Sequence, residues 1–277
     1  MRRPVGLAIP NMGTDSPDTV RELPRIAEDL GYDSVWVTDH LVGLRATDDL
    51  YGSHWMEALT ALTWAAASTT SIRVGTGVLV VPYRHPVLTA KMLATVDVLS
   101  GGRLDVGIGS GWSKTEYRAL GAGELFAERG AAMDEALDVL LACWRGGPIE
   151  HSGRYFPVRH VEVRPEPAQR PHPPIWVGGN SAAAMRRAAR IDGALWHPWD
   201  LTPARLRERG EQLDALAGRP VTRSIRVNLG EPSLAGIEDL VDAYLDAGAV
   251  RVVVEFRGHN GQQAQALARR AAKALFG

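Results

Sequence analysis

Apolar, β-rich runs alternate with helically spaced stripes along the whole chain. Strands are predicted over residues 5–10 (VGLAIP), 34–38 (SVWVT), 72–81 (IRVGTGVLVV), 104–109 (LDVGIG), 174–178 (PIWVG), 193–197 (GALWH), 224–229 (SIRVNL) and 250–256 (VRVVVEF). The segments between them carry amphipathic patterns. The first stripe is Val20, Leu23, Ala27 and Leu30, with Ser16 as a cap ahead of Pro17 and with Pro24 predicting a kink. Later stripes read Leu59, Leu62 and Ala66; Leu88, Met92, Val96 and Leu99, stopped by Gly101 and Gly102; Met133, Leu137, Leu140 and Trp144; and Leu240, Tyr244 and Leu245.

Eight strand–helix pairs with doubly buried strands predict a (β/α)8 TIM barrel, because parallel strands need crossovers and the crossover helices then cover the outside. An open doubly wound sheet is the alternative. The reading is of one domain over residues 1–277, with an extended insertion before strand 5. Two connections are long. Residues 41–55 hold Tyr51, Gly52, His54 and Trp55; residues 145–173 suggest a hairpin around Tyr155–Val163 and then turn proline-rich. Either is a candidate pocket wall, and the second is equally a plain connector into strand 5.

Charge narrows the partners. With 31 Lys and Arg against 32 Asp and Glu, nothing draws the chain to nucleic acid or to an anionic membrane. The single cysteine, Cys143, excludes a disulfide framework and multi-cysteine metal sites, and its apolar setting reads as core. The first residues turn polar too soon for a signal peptide, and no apolar run is long enough to span a bilayer, so a cytoplasmic location is expected.

In a barrel the working groups sit at the carboxyl ends of the strands. Asp39 and His40 end strand 2 there, and both reach the mouth only if the strand stops at Thr38; otherwise they are loop-capping residues. Gly75 and Gly77 inside strand 3 mark a bulge, a ligand lying on bare backbone, or corner packing. GIGSGW (107–112) and VGGNS (177–181) end strands 4 and 5, the latter directly before the helix AAAMRRAAR, so a phosphate site or a capped tight turn is expected. The three lysines, Lys91, Lys114 and Lys273, lie at no strand end, which removes a Schiff-base nucleophile. No H-E-x-x-H, no H-x-H on strand 1 and no G-x-S-x-G occurs, so neither a resident metal nor a serine nucleophile is implied. Such a site suits chemistry supplied by a cofactor.

Taken together, GYDSVWVTDHL, IRVGTGVLVVPYRHPVLTAKMLATVDVLSGGRLDVGIGSGW, FAERGAAMDEALDVLLACW and RPEPAQRPHPPIWVGGNSAAAMRRAAR resemble the bacterial luciferase-like monooxygenase superfamily, in its F420-dependent oxidoreductase branch. The resemblance covers residues 5–200, and beyond them it is one of topology. It implies a barrel that binds coenzyme F420, or FMN in sister branches, and transfers a hydride to or from a small-molecule substrate, the chain forming a homodimer. By the same resemblance Asp39 and His40 match an acidic–imidazole pair beside the deazaflavin ring, His40 serving as proton donor or substrate-orienting group. Gly77 and Val78 match a strand 3 bulge that presses on the ring and in relatives contains a non-proline cis peptide, with Thr76 beside them as a further cofactor-binding position. Ser110 falls among the cofactor-binding positions, and Gly178, Gly179, Asn180 and Ser181 match the loop that receives the cofactor phosphate. Trp112 departs from the pattern, standing where some sugar-phosphate-oxidising relatives carry a catalytic glutamate. Arg84, His85, Lys114 and Arg118 are candidates for the cofactor's acidic tail or for solvated surface; Trp196, His197 and Trp199 for an apolar substrate wall or rim packing. An FMN-dependent monooxygenase, a non-catalytic flavin-binding subunit and a cofactor-free lyase are the competing functions.

Overall fold

Each wall strand alternates a side chain into the barrel with an apolar one toward the helices. In β2 (Ser34–Val37), Val35 and Val37 join the outer core, whereas Trp36 points along the axis. The computed structural model describes residues 3–11, 17–42, 54–256 and 261–277. Its strands are β1 (Val5–Ala8), β2, β3 (Arg73–Thr76), β4 (Leu79–Val80), β5 (Leu104–Gly109), β6 (Ile149–His151), β7 (Val158–Val161), β8 (Ile175–Gly178), β9 (Leu195–His197), β10 (Arg223–Asn228) and β11 (Ala249–Glu255). Its helices are α1 (Pro17–Leu30), α2 (Ala58–Ala67), α3 (Pro86–Leu99), α4 (Lys114–Ala119), α5 (Arg129–Arg145), α6 (Ala182–Arg190), α7 (Pro203–Ala217), α8 (Ile237–Asp246) and α9 (Gly261–Phe276).

The parallel order β3-β2-β1-β11-β10-β9-β8-β5-β4 closes because β3 also pairs with β5. Since β3 and β4 are halves of one stave, interrupted at Gly77–Val78, the wall is the closed eight-stave barrel that the pattern predicts. Each predicted strand lies within two residues of its observed start. The capping position Ser16 falls outside the described residues, as does most of the 41–55 connection; α1 runs on through a buried Pro24.

Along the axis the barrel is stacked in layers. At the amino end Arg251 bridges Asp33 and Asp105, and Arg73 holds Asp105 from the other side. Trp36 and Trp176 meet edge to face above them at 6.2 Å, each 5.7 Å from the Arg251 guanidinium. Gly75 makes room for that aromatic layer, because a Cβ there would lie 2.7 Å from the Trp36 ring. Above the tryptophans come His197, Arg226 and Glu255, and then the mouth.

Two expectations are corrected. The stripe Leu88, Met92, Val96 and Leu99 is only in part the inner face of α3: Val96 is buried and Met92 packs against the core, but Leu88 and Leu99 are exposed, and the helix seats on Ala90, Leu93, Ala94 and Val96. Small residues let its backbone approach the strands, so packing depth overrides side-chain size. The 145–173 insertion forms the expected hairpin, β6 pairing antiparallel with β7, but it walls no mouth pocket. Gln169 ties its end to Asp97 and to the Leu104 carbonyl at the amino end of β5. Cys143 is core, and burial pushes its thiol up to about 11.

Candidate active site

An open pocket of about 410 Å³ occupies the carboxyl mouth of the barrel, within the size range of small-molecule sites. Asp39, His40, Gly77, Val78, Ser110, Gly178 and Gly179 all line it, so the ends of four different staves converge there. β2 ends at Val37, which frees the following residues from strict alternation and lets Asp39 and His40 both reach the lining.

The two residues have different partners. Asp39 is buried and accepts from the Val80 backbone N–H at 2.9 Å and from Arg84 Nη1 at 2.7 Å through Oδ2, while Oδ1 takes Arg84 Nη2 at 2.9 Å. Arg84 is therefore neither solvated nor open to an acidic tail. His85 accepts from the Val87 N–H at the start of α3, and Lys114 and Arg118 are exposed. His40 lies between the edges of Trp55 and Trp112, with ring centres at 4.8 and 5.6 Å, and its Nδ1 is 3.0 Å from Glu116 Oε2.

Glu116 is 0% exposed, a carboxylate that sequence reasoning missed. It sits in S-x-x-E (113–116), which reads as a capping box for α4. Ser113 does cap, its Oγ accepting from the Glu116 N–H at 3.3 Å. The Glu116 carboxylate, however, crosses to His40, to the Leu41 N–H at 2.6 Å and to the Tyr83 hydroxyl at 3.0 Å. Burial opposes its ionisation, but the bonds from His40, Leu41 and Tyr83 prevail and hold it below the usual carboxylate range. Burial and the adjacent Glu116 push the Tyr83 phenol up, keeping it a donor.

The pocket floor is the interruption between β3 and β4, where the Gly77–Val78 peptide is cis. Val78 lies over β5 and β8: a Cβ on Gly109 would come 2.7 Å from Val78 Cγ2, and one on Gly178 2.4 Å from Cγ1. Those glycines are thus set by the Val78 side chain. Arg226 donates from Nη1 to the Gly77 carbonyl, from Nη2 to Thr38 Oγ1, and from Nε and Nη2 to Glu255. Thr76 is corrected as a lining residue, since its buried hydroxyl is spent on the Gly107 carbonyl at 2.7 Å.

His197 lines the base of the pocket as a buried ring, stacked on Trp36 at 5.1 Å with its Nδ1 2.6 Å from Ser224 Oγ, and its Nε2 has no hydrogen-bond partner. Burial, with the charges of Arg226 and Arg251, pushes its pKa down to about 3, so the ring is neutral at physiological pH. Trp199 also lines the pocket, 50% exposed, as does Trp112 at 56%. Trp196 instead packs outside the wall, donating to the Gly179 carbonyl.

Asn180 and Ser181 lie outside the lining, because their side chains are occupied. Asn180 clamps both backbone groups of Trp199, at 2.7 and 3.0 Å, and Ser181 Oγ accepts from the Ala184 N–H to cap α6. The backbone at Gly179 (φ +109°) and the start of α6 remain beside the pocket.

Comparison with known proteins gives this geometry a family. The family model described as luciferase-like monooxygenase matches residues 4–275. The chain belongs to that family. Among curated relatives of this luciferase-like chain, the 5,10-methylenetetrahydromethanopterin reductase of Methanopyrus kandleri is 27% identical over 99% of this chain and 80% of its own. The FMNH(2)-dependent dimethylsulfone monooxygenase of Pseudomonas putida is 34% identical over 63% of this chain and 47% of its own. Among solved structures, an F420-dependent secondary alcohol dehydrogenase in complex with an F420-acetone adduct superposes with a TM-score of 0.80 at 16% identity, covering 100% of both chains. No helix among the described residues is long and apolar enough to cross a membrane.

Proposed function

We propose that this luciferase-like chain binds coenzyme F420 in the barrel mouth and catalyses hydride transfer between that cofactor and a small, uncharged organic substrate. The observation that carries the reading is the meeting, round one pocket, of the Gly77–Val78 floor, the His40 imidazole and the Gly178–Gly179 end of β8 leading into α6. These residues fit the group: an apolar floor suits a flat ring, and the capped amino end of α6 favours a phosphate through backbone N–H groups and the helix dipole. Asn180 and Ser181 shape that end rather than offering side-chain donors. When bound, the deazaflavin supplies hydride chemistry at its C5 position.

The protein's part is binding and proton handling. His40 gives up or takes the proton that accompanies hydride transfer and orients the reacting group of the substrate. Asp39, held by Arg84 and the Val80 N–H, fixes the turn that carries His40. An uncharged substrate follows from the charge pairing at the lining, where Asp39 is matched by Arg84 and Arg226 by Glu255. Trp112 and Trp199 supply apolar contact at the rim.

The dimethylsulfone monooxygenase likeness supports a second reading, with FMN as the cofactor. Equilibrium titration of the purified protein with F420 and with FMN separates the two. Tighter binding of F420 by about tenfold or more, some 1.4 kcal/mol, is the expected result. Preference for FMN moves the chain to flavin-dependent oxygenation, and no binding of either at micromolar concentration overturns both readings.

A further inference from the structure

We infer that Glu116 is a positioning residue that fixes the His40 imidazole with its proton on Nδ1, leaving Nε2 as the atom that exchanges a proton in the pocket. The inference deepens the role given to His40 under the proposed function and rests on it. An ionised carboxylate only accepts hydrogen bonds. Glu116, fully buried, accepts from the Leu41 N–H on Oε1, and its Oε2 faces both the Tyr83 hydroxyl and His40 Nδ1 at 3.0 Å. A bare Nδ1 lone pair against that oxygen would be repulsive and would leave a buried acceptor short of a donor, so the ring nitrogen facing it carries the hydrogen.

The anchoring is rigid. Leu41 follows His40 directly, so one carboxylate holds both the ring and the backbone beside it. Trp55 and Trp112 close on the ring from their edges. The charged and titratable groups around it are Glu116, Tyr83 behind Glu116, and Asp39, which is matched by Arg84. The next residue of α4 holds the end of β5, two staves along the wall from β2, Tyr117 donating from its hydroxyl to the Ser110 carbonyl at 2.7 Å. Two consecutive buried residues of one short helix thus join His40 to the end of β5. The diverted capping box fits the same role, since a Glu at that position ordinarily returns to the cap's own N–H.

The first test needs neither cofactor nor turnover. Long-range proton–nitrogen correlation spectra of histidine-labelled protein at neutral pH are expected to give His40 as the Nδ1–H tautomer, and Glu116→Gln to shift it toward Nε2–H. An Nε2–H form in the unsubstituted protein overturns the inference, whether or not the variant folds. Kinetically, Glu116→Gln is expected to lower kcat by about 10- to 100-fold, less than the roughly 100- to 10,000-fold worth of a general acid–base group itself because His40 is still present, with F420 affinity unchanged. In a His40→Ala background the same substitution is expected to change kcat by less than about twofold, because two residues acting through one group are not additive. Equal losses in both backgrounds overturn the inference. Failure to bind F420 with the Nδ1–H tautomer intact overturns the cofactor reading and leaves the histidine assignment supported.

Discussion

Arg84 grips Asp39 through both carboxylate oxygens and extends the same guanidinium to Glu57 at 2.5 Å. The Asp39 side chain is 0% exposed, so this pair is a buried structural joint between the end of β2 and the residues after β4. Replacing Arg84 by Met leaves a buried carboxylate without its cation, and the expected loss of stability is about 3–5 kcal/mol. Urea unfolding measures it, and Asp39→Asn in the Arg84→Met background is expected to recover part. A loss below about 1 kcal/mol would make the pair a surface-like contact instead.

Val78 and Gly109 test the packing under the pocket. Gly109→Ala places a methyl 2.7 Å from Val78 Cγ2 and against nothing else that is close, so overpacking of about 1–3 kcal/mol is expected. Val78→Ala in the same protein is expected to relieve it. Additive destabilisation by the two changes would show that the pair does not touch in solution.

His197 gives the stability a pH signature. Its folded pKa lies near 3 against an ordinary 6.5, so between those values the unfolded chain binds a proton that the folded one refuses. Stability therefore falls as pH drops below 6.5, by up to about 1.4 kcal/mol per pH unit from this group, and the fall ends near pH 3. Above 6.5 the group contributes no slope. His197→Gln is expected to flatten the dependence, read as the difference between two sets of denaturation curves from pH 7 to 4; identical slopes would refute it.

Leu88 at 53% and Leu99 at 74% exposure stand about three turns apart on one outward face of α3, apolar surface that suits a second copy of the chain. The expected species in light scattering is a homodimer, and Leu88→Glu with Leu99→Glu is expected to give the monomer mass. A monomer before substitution would rule out the dimer.

Much of this molecule was legible from residue order. Parallel strands buried on both faces announce themselves by unbroken apolar runs, which is why the eight staves and the closed barrel follow from periodicity. The inner face of α3 followed only at Met92 and Val96, because Ala90 and Ala94 seat the helix while the larger Leu88 and Leu99 face out. At the mouth, Asp39 and His40 were conspicuous as polar residues ending a buried strand. Glu116 lies in an S-x-x-E pattern whose ordinary use is a helix cap, and nothing short of the fold shows its carboxylate turned to His40. Arg226 and Glu255 left a signal that went unused: charges of opposite sign inside the apolar strands β10 and β11, two neighbours in the wall. Asn180 and Ser181 look like ligand donors in sequence, and only the fold reveals that their side chains are already committed.

The paired tryptophans at the waist have a kinetic corollary. With Trp36 and Trp176 filling the bore, and an arginine–aspartate plug behind them, the barrel is a cup with one doorway rather than a tunnel. Whatever enters that cup and whatever leaves it must pass over the same rim.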